Sequence, residues 1–257
     1  MDLKIKNQSF LVCGATSGFG KATAEALMND GAKVIGVARN EDQLMAMKVI
    51  YGNRFSPMQG DITQSATIDR VLELARDRNI SGALINAGGP PALTFIETQL
   101  KDWDDAYQKL LRWKVEITQK LIPLFRQNQY GRLVYIESSS VKQPIENLVL
   151  STSLRLAVVG MVKTVSQEVS GQSINLNIIA PGSHATPAIQ RLIKKKSGLA
   201  GISYEEAQKA WIESIPAKQM GNPEYLGSLA AWLLSPLSEF VTGQVYAVEG
   251  GAVKSTL

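Results

Sequence analysis

The 257-residue chain carries 27 Lys and Arg against 23 Asp and Glu, a formal charge of +4, and 45% of its residues are hydrophobic. That is enough apolar side chain for a full core, and too little charge, too scattered, for a nucleic-acid surface. A single cysteine, Cys13, excludes an internal disulfide framework and a multi-cysteine zinc site, and a single histidine, His184, argues against any protein-only metal site. No run of 18 apolar residues marks a transmembrane helix, and the opening MDLKIKNQSFLV has no long apolar stretch before a small-residue cleavage site. The expectation is a cytoplasmic protein without membrane attachment.

Along the chain, two patterns alternate. Short apolar, β-branched runs read as buried strands at Phe10–Cys13, Val34–Ala38, Ala83–Asn86, Leu133–Ile136, Ile174–Ile179 and Val245–Val248. Their near-continuous hydrophobicity suits a parallel sheet covered on both faces. Between them lie segments of helical spacing: Ala22, Ala26 and Leu27 form one stripe, Ile68, Val71, Leu72 and Ala75 another, and Trp103 to Arg126 has room for a long helix before a Tyr130-Gly131 stop. Strand and helix in alternation predict a doubly wound α/β fold, one domain over residues 1–257. Residues from about 187 to 220, with Pro187, Lys194-Lys195-Lys196, Gly201 and Pro216, break the rhythm near the C-terminal end of a strand and read as a lid over a site.

Gly14-Ala15-Thr16-Ser17-Gly18-Phe19-Gly20 follows the first strand and opens a helix. Glycines there let the backbone turn sharply and approach a pyrophosphate, which the helix N-terminus stabilises. A phosphate-binding loop of the nucleotide-triphosphatase kind is excluded: Gly20-Lys21 would need glycine at 15 and Ser or Thr at 22, and both positions are Ala. The spacing of the three glycines resembles that of the short-chain dehydrogenase/reductase family. So do Asn86-Ala87-Gly88 after the fourth strand, Gly60-Asp61-Ile62 after the third, Pro181-Gly182 followed by Thr186, and Val241-Thr242-Gly243-Gln244 through Glu249-Gly250-Gly251. The resemblance covers nearly the whole chain and is closest to 3-oxoacyl-[acyl-carrier-protein] reductases. It implies a single Rossmann domain with a seven-stranded, mostly parallel sheet and helices on both faces. It also implies a nicotinamide cofactor, an acyl-carrier or small-molecule substrate, and a homotetramer or homodimer. Cofactor contacts carried over from the family motifs fall on Gly14, Thr16, Ser17, Gly18, Phe19, Gly20, Asp61, Ile62, Asn86, Ala87, Gly88, Pro181, Gly182 and Thr186.

The family's Asn, Ser, Tyr and Lys set is not intact. Gly160 and Lys163 anchor the helix that carries Tyr-x-x-x-Lys in the family. Counting back from them places Ser151 at the Tyr position, Arg155 at the Lys position, Ser138 at the Ser position and Leu110 at the Asn position. In the family, the tyrosine gives a proton to the carbonyl oxygen, and the lysine tunes it and holds the ribose. A serine hydroxyl is a poor acid and an arginine does not deprotonate, although Arg155 retains the means to hold a ribose or stabilise an alkoxide. Two residues are candidates to replace the missing acid. Lys142, four residues past Ser138, reads as a proton donor or an anion contact, or else as a solvated loop lysine. His184, beside Pro181-Gly182, has the right ordinary pKa for acid–base work, or else a packing role. Tyr135, inside a strand, and Cys13 read as core, and Trp103, Trp113, Trp211 and Trp232 as helix packing. Lys194-Lys195-Lys196 reads as a solvated helical face, with attraction of a phosphopantetheine carrier as the functional alternative.

The second strand ends Val37-Ala38-Arg39-Asn40. An NAD site places an acid there for the ribose hydroxyls. Here no acid would repel a 2′-phosphate and Arg39 can pair with one, so the expectation is NADP(H) over NAD(H). Two functions follow: a hydride-transferring reductase of carbonyl or alcohol substrates, or a catalytically impaired nucleotide-binding member acting as a binding or scaffold subunit.

Overall fold

The computed structural model describes residues 1–256. Seven strands form one sheet: β1 Ser9–Cys13, β2 Lys33–Ala38, β3 Phe55–Gln59, β4 Gly82–Ile85, β5 Gly131–Ile136, β6 Ile174–Pro181 and β7 Val245–Val248. Their order is β3-β2-β1-β4-β5-β6-β7, and every pairing is parallel. The expected "mostly parallel" sheet is thus wholly so. β3 is the strand that apolar runs did not mark. Its Phe-Ser-Pro-Met-Gln sequence is tolerable because it lies at an edge, where Pro57 interrupts no central ladder.

Helices cover both faces. Along β1, Leu11 and Cys13 point into one core with Ile68, Val71, Trp113, Ile117 and Val158, while Phe10 and Val12 point into the other with Leu27, Met28, Leu44, Leu226 and Ala230. The first core is roofed by α3 (Ser65–Asp77), α5 (Trp113–Asn128) and α6 (Val149–Glu168), with α4 (Leu100–Tyr107) leading into α5. The second is roofed by α1 (Gly18–Asn29), α2 (Glu41–Tyr51) and α9 (Pro223–Leu234). The α3 stripe read from the sequence is buried as expected.

Three local features bear on the site. The stretch expected as one long helix is interrupted: α4 and α5 are joined by a π-helical segment, Gln108–Arg112, with Leu110 buried at its centre. Such segments often occur near functional sites. The stretch from 187 to 220 is helical for most of its length, as α7 (Pro187–Ala200) and α8 (Tyr204–Glu213), packed on each other through buried Ile193 and Ala207. Thr186 caps α7, and a Ser203/Glu206 capping box starts α8. Finally, α6 is long and apolar enough by composition to cross a membrane. Its buried face, however, carries Ser151 and Arg155 alongside Leu150, Val158 and Val162, and it packs on the sheet and on the π segment.

Candidate active site

The sheet order reverses direction at β1, so a crevice opens at the C-terminal ends of β1 and β4, where open α/β sheets bind ligands. The glycine loop lies there. Gly14 has φ +69°, and a Cβ on it would come within 2.8 Å of the Asn86 amide nitrogen. A Cβ on Gly20 would sit 2.1 Å from the Gly14 carbonyl oxygen, so helix α1 can start this close to β1 only with glycine. Asn86 Nδ2 donates to the Cys13 carbonyl at 3.2 Å and ties the β4 loop to the glycine loop. Ser17 is exposed at the N-cap of α1, with its hydroxyl unused as a cap. This leaves the first-turn N–H groups and the positive end of the helix facing the crevice.

The other motifs converge on the same crevice. Thr186 packs its methyl group about the position a Gly18 Cβ would occupy, 3.6 Å away, which brings the loop after Pro181-Gly182 over the glycine loop. Asp61, half-buried, accepts from the Thr63 amide and hydroxyl at 3.0 and 2.8 Å, and Ile62 beside it is buried. Ala87 is half-buried and Gly88 exposed along the β4 loop. Arg39 is exposed at the end of β2, and its guanidinium has no partner among the described residues.

Two of the tetrad positions, Ser151 and Arg155, belong to a buried charged network. Arg155 Nε donates to Ser151 Oγ at 3.1 Å, and Arg155 Nη1 donates to the Ile136 carbonyl at 3.3 Å and to Glu137 Oε2 at 2.9 Å. The other carboxylate oxygen of Glu137 accepts from Lys114 Nζ at 2.5 Å. All four side chains are buried, Glu137 and Lys114 almost completely. Burial pushes the Lys114 ammonium down to about 8, against the opposing pull of Glu137. Ser138, half-buried, caps the short turn that follows β5 by accepting from the Ser140 amide at 3.2 Å.

Lys114 and Glu137 were not singled out from the sequence. The available signal was a lysine on the apolar face of α5, between Trp113 and Ile117, and an acid ending an otherwise apolar central strand. Leu110, buried one turn before Lys114, leaves no side-chain amide at the family's Asn position.

His184 is a correction. Its ring is 3% exposed, lies edge-on to Phe19 at 5.1 Å, and is held against Gly221, with Nδ1 3.1 Å from the Gly182 carbonyl. Burial lowers its pKa, and the ring joins the loop after β6 to the segment before α9, which is the packing role. Lys142 is half-buried and its ammonium has no partner among the described residues. The structure brings it no closer to a defined role. Tyr135 is core, its phenol paired with Thr118 at 2.7 Å and its pKa raised by burial; Cys13 is core as well, its thiol pushed up to about 12. Lys194 and Lys195 are solvated, and Lys196 lies over the Trp211 ring, whose Nε1 donates to Ser183 beside the motif loop. Among the described residues no cluster of His, Cys, Asp and Glu could hold a metal.

A family model described as enoyl-(acyl carrier protein) reductase matches residues 14–253. The chain belongs to the short-chain dehydrogenase/reductase family. It is thereby an oxidoreductase of the NAD(P)-dependent class. Among similar proteins, the 3-oxoacyl-[acyl-carrier-protein] reductase FabG of Thermotoga maritima is 27% identical over 98% of this chain and 100% of its own length. The NADPH-dependent reductase BacG of Bacillus subtilis is 24% identical over 98% of this chain and 100% of its own length. Among solved structures, L-sorbose reductase from Gluconobacter frateurii, complexed with NADPH and L-sorbose, superposes with a TM-score of 0.92 at 26% identity, over 99% of this chain and 100% of that one.

Proposed function

We propose that this short-chain dehydrogenase/reductase is an NADP(H)-dependent reductase of carbonyl substrates, related in chemistry to the 3-oxoacyl-carrier reductases. The observation that carries the reading is the join between two half-sites. A glycine cradle with no room for a Cβ faces an open helix N-terminus, and Ser138, Ser151 and Arg155 stand at the ends of β5 and α6 beside it. Gly14 to Gly20 would hold the pyrophosphate, Asp61 and Ile62 the adenine, Asn86 to Gly88 the central ribose region, and Pro181, Gly182 and Thr186 the nicotinamide end. Unpaired Arg39 would hold a 2′-phosphate. When bound, NADP(H) supplies or accepts the hydride.

The chain's own part in the reaction is electrostatic. Arg155 presents fixed positive charge where negative charge grows on the carbonyl oxygen, and its geometry is set beforehand by Glu137, Ser151 and the Ile136 carbonyl. Ser138 and Ser151 offer hydroxyls to the same oxygen. Without a positioned acid the reaction forgoes a factor of about 10²–10⁴. That deficit favours a second reading, an impaired nucleotide-binding subunit, because Ser151 and Arg155 stand where Tyr and Lys act in the family. The protein would work in the cytoplasm as a homotetramer or homodimer.

A hydride-transfer assay with NADPH over a broad panel of carbonyl compounds decides between the readings. Turnover of any member is the expected result. NADPH binding with no turnover across the panel would establish the second.

A further inference from the structure

The buried network at the head of α6 is unbalanced. Lys114 and Arg155 place two cations on the single carboxylate of Glu137, and among the described residues no other acid pairs with either. Buried charge is costly unless matched, so an excess cation at this depth needs a counter-charge or a proton release to relieve it. The geometry shows where a counter-charge can enter. Arg155 spends Nε on Ser151 and Nη1 on Glu137 and the Ile136 carbonyl, which leaves Nη2 with no partner among the described residues. Nη2 lies 3.5 Å from where a Cβ of Gly89 would stand, on the exposed loop that follows Asn86-Ala87-Gly88. The unused edge of the guanidinium therefore faces the loop bordering the reacting end of the site, and glycine at 89 keeps that approach open.

We propose that the Nη2 edge of Arg155 anchors a carboxylate on the substrate, so that this site takes oxo acids in preference to uncharged carbonyl compounds. The proposal rests on the reading of the crevice as a reductase site and names its substrate class. Arginine suits the role because its planar fork matches a carboxylate, and its remaining donors are already held in place, so little is left to order on binding. The replacements fit together: Ser151 is small where the family tyrosine is large, so no bulky side chain stands beside Arg155. A cavity of about 500 Å³ lies at the N-terminal end of the same helix, against Val149, Thr152 and Ser153, with Leu93, Phe95 and Glu146 on its other walls.

The test uses 3-phenylpropanoate and its amide as probes, titrated calorimetrically into the NADP-loaded protein. The carboxylate should bind roughly ten- to a hundredfold more tightly than the amide. The preference should vanish in Arg155→Met and persist in Lys114→Met/Glu137→Gln, which leaves Arg155 as a lone cation. Should Arg155→Met fail to fold, the variant Lys114→Met/Glu137→Gln/Arg155→Met, with all three charges gone, must show no preference. At pH 8 the wild type should also take up a proton on binding, read from the heats in two buffers of different ionisation enthalpy. The groups around Lys114 are Glu137, Arg155 and the neutral Tyr135 phenol, so Lys114 is the group that a new anion would return to its charged form. Equal binding of acid and amide, binding of neither at millimolar concentration, or a preference that survives loss of Arg155 overturns the proposal. Titrating the probes into cofactor-free protein separates the two ideas: if NADP does not bind, the reductase reading fails, while the carboxylate anchor is still read directly.

Discussion

Glu137 and Arg155 form a buried ion pair, Oε2 to Nη1 at 2.9 Å, which joins the residue just before Ser138 to the position that the resemblance aligns with the family lysine. Because Lys114 shares the same carboxylate, removing it leaves two cations facing each other without solvent. Glu137→Ala should destabilise the fold by about 3–5 kcal/mol, the usual cost of stranding a buried charge. Denaturant unfolding checks this. Lys114→Met, which leaves the Arg155 pair intact, should cost clearly less, and equal losses for the two variants would contradict the assignment.

The same network gives stability a characteristic dependence on pH. The Lys114 ammonium falls from an ordinary value of 10.5 to about 8 in the folded protein because burial disfavours its charge. Between those values the unfolded chain binds the proton and the folded one does not, so the penalty is fully present below pH 8 and is relieved as pH rises toward 10.5. Cys13 and Tyr135, whose pKa values burial raises, act in the opposite sense in alkali. The comparison that isolates Lys114 is wild type against Lys114→Met: the wild type's relative stability should rise with pH across that window. A flat difference would mean that the ammonium is not desolvated.

Cofactor preference should turn on two adjacent residues. Ala38 is buried at the end of β2, and Arg39 is exposed, its guanidinium without a partner among the described residues. Ala38→Asp with Arg39→Ala should weaken NADP roughly ten- to a hundredfold, the worth of a charge-assisted contact, and should strengthen NAD. Calorimetry on both cofactors measures the shift. Tighter binding of NAD by the wild type would refute it.

What could be read from the sequence tracks how local each signal is. The glycine loop, the Asn86 and Pro181 motifs and the strands β1, β2, β4, β5, β6 and β7 are contiguous patterns, and the fold places them in one sheet and one crevice. β3 escaped the apolar criterion because an edge strand can carry Ser56 and Pro57. Lys114 and Glu137 are 23 residues apart and meet only when α5 packs on β5. In the sequence, the signal of each is local and weak: a lysine among the apolar residues of α5 and an acid directly after β5. His184 misled for the converse reason: its place beside Pro181-Gly182 suggested chemistry, while its ring turns toward Phe19 and Gly221.

Self-association is expected through α6. Leu156, Ala157 and Gly160 are exposed on it, although the helix is largely apolar. Nothing lies within 4 Å of a Cβ added at Gly160, so Gly160→Glu should leave the protomer folded while placing a charge on the proposed contact. Light scattering should show an oligomer for the wild type and a smaller species for the variant. A monomeric wild type at micromolar concentration would remove the prediction.

Rebuilding the family's acid is the sharpest test of what the substitutions did. Ser151→Tyr with Arg155→Lys restores a phenol and the cation that tunes it, and NADPH-dependent reduction of an uncharged ketone should rise by about 10²–10⁴-fold. Cofactor affinity should hold, since the glycine loop, Asn86 and Thr186 are untouched. The structure names two obstacles. Ser151 is buried, so a tyrosine must find room by moving toward the crevice. A lysine at 155 also cannot make the three hydrogen bonds that Arg155 gives to Ser151, Glu137 and the Ile136 carbonyl, which leaves Glu137 leaning on Lys114 alone. Adding Glu137→Gln and Lys114→Met removes that conflict by taking out the two charges beside the introduced lysine. Leu110→Asn then places an amide in the π segment between α4 and α5. Activity measured beside the melting temperature separates the outcomes. A folded, NADP-binding variant that gains activity on neutral ketones and loses its preference for carboxylates would show that the charged network exchanged general acid catalysis for substrate selection. A folded variant with neither change would place the reacting carbon away from residue 151.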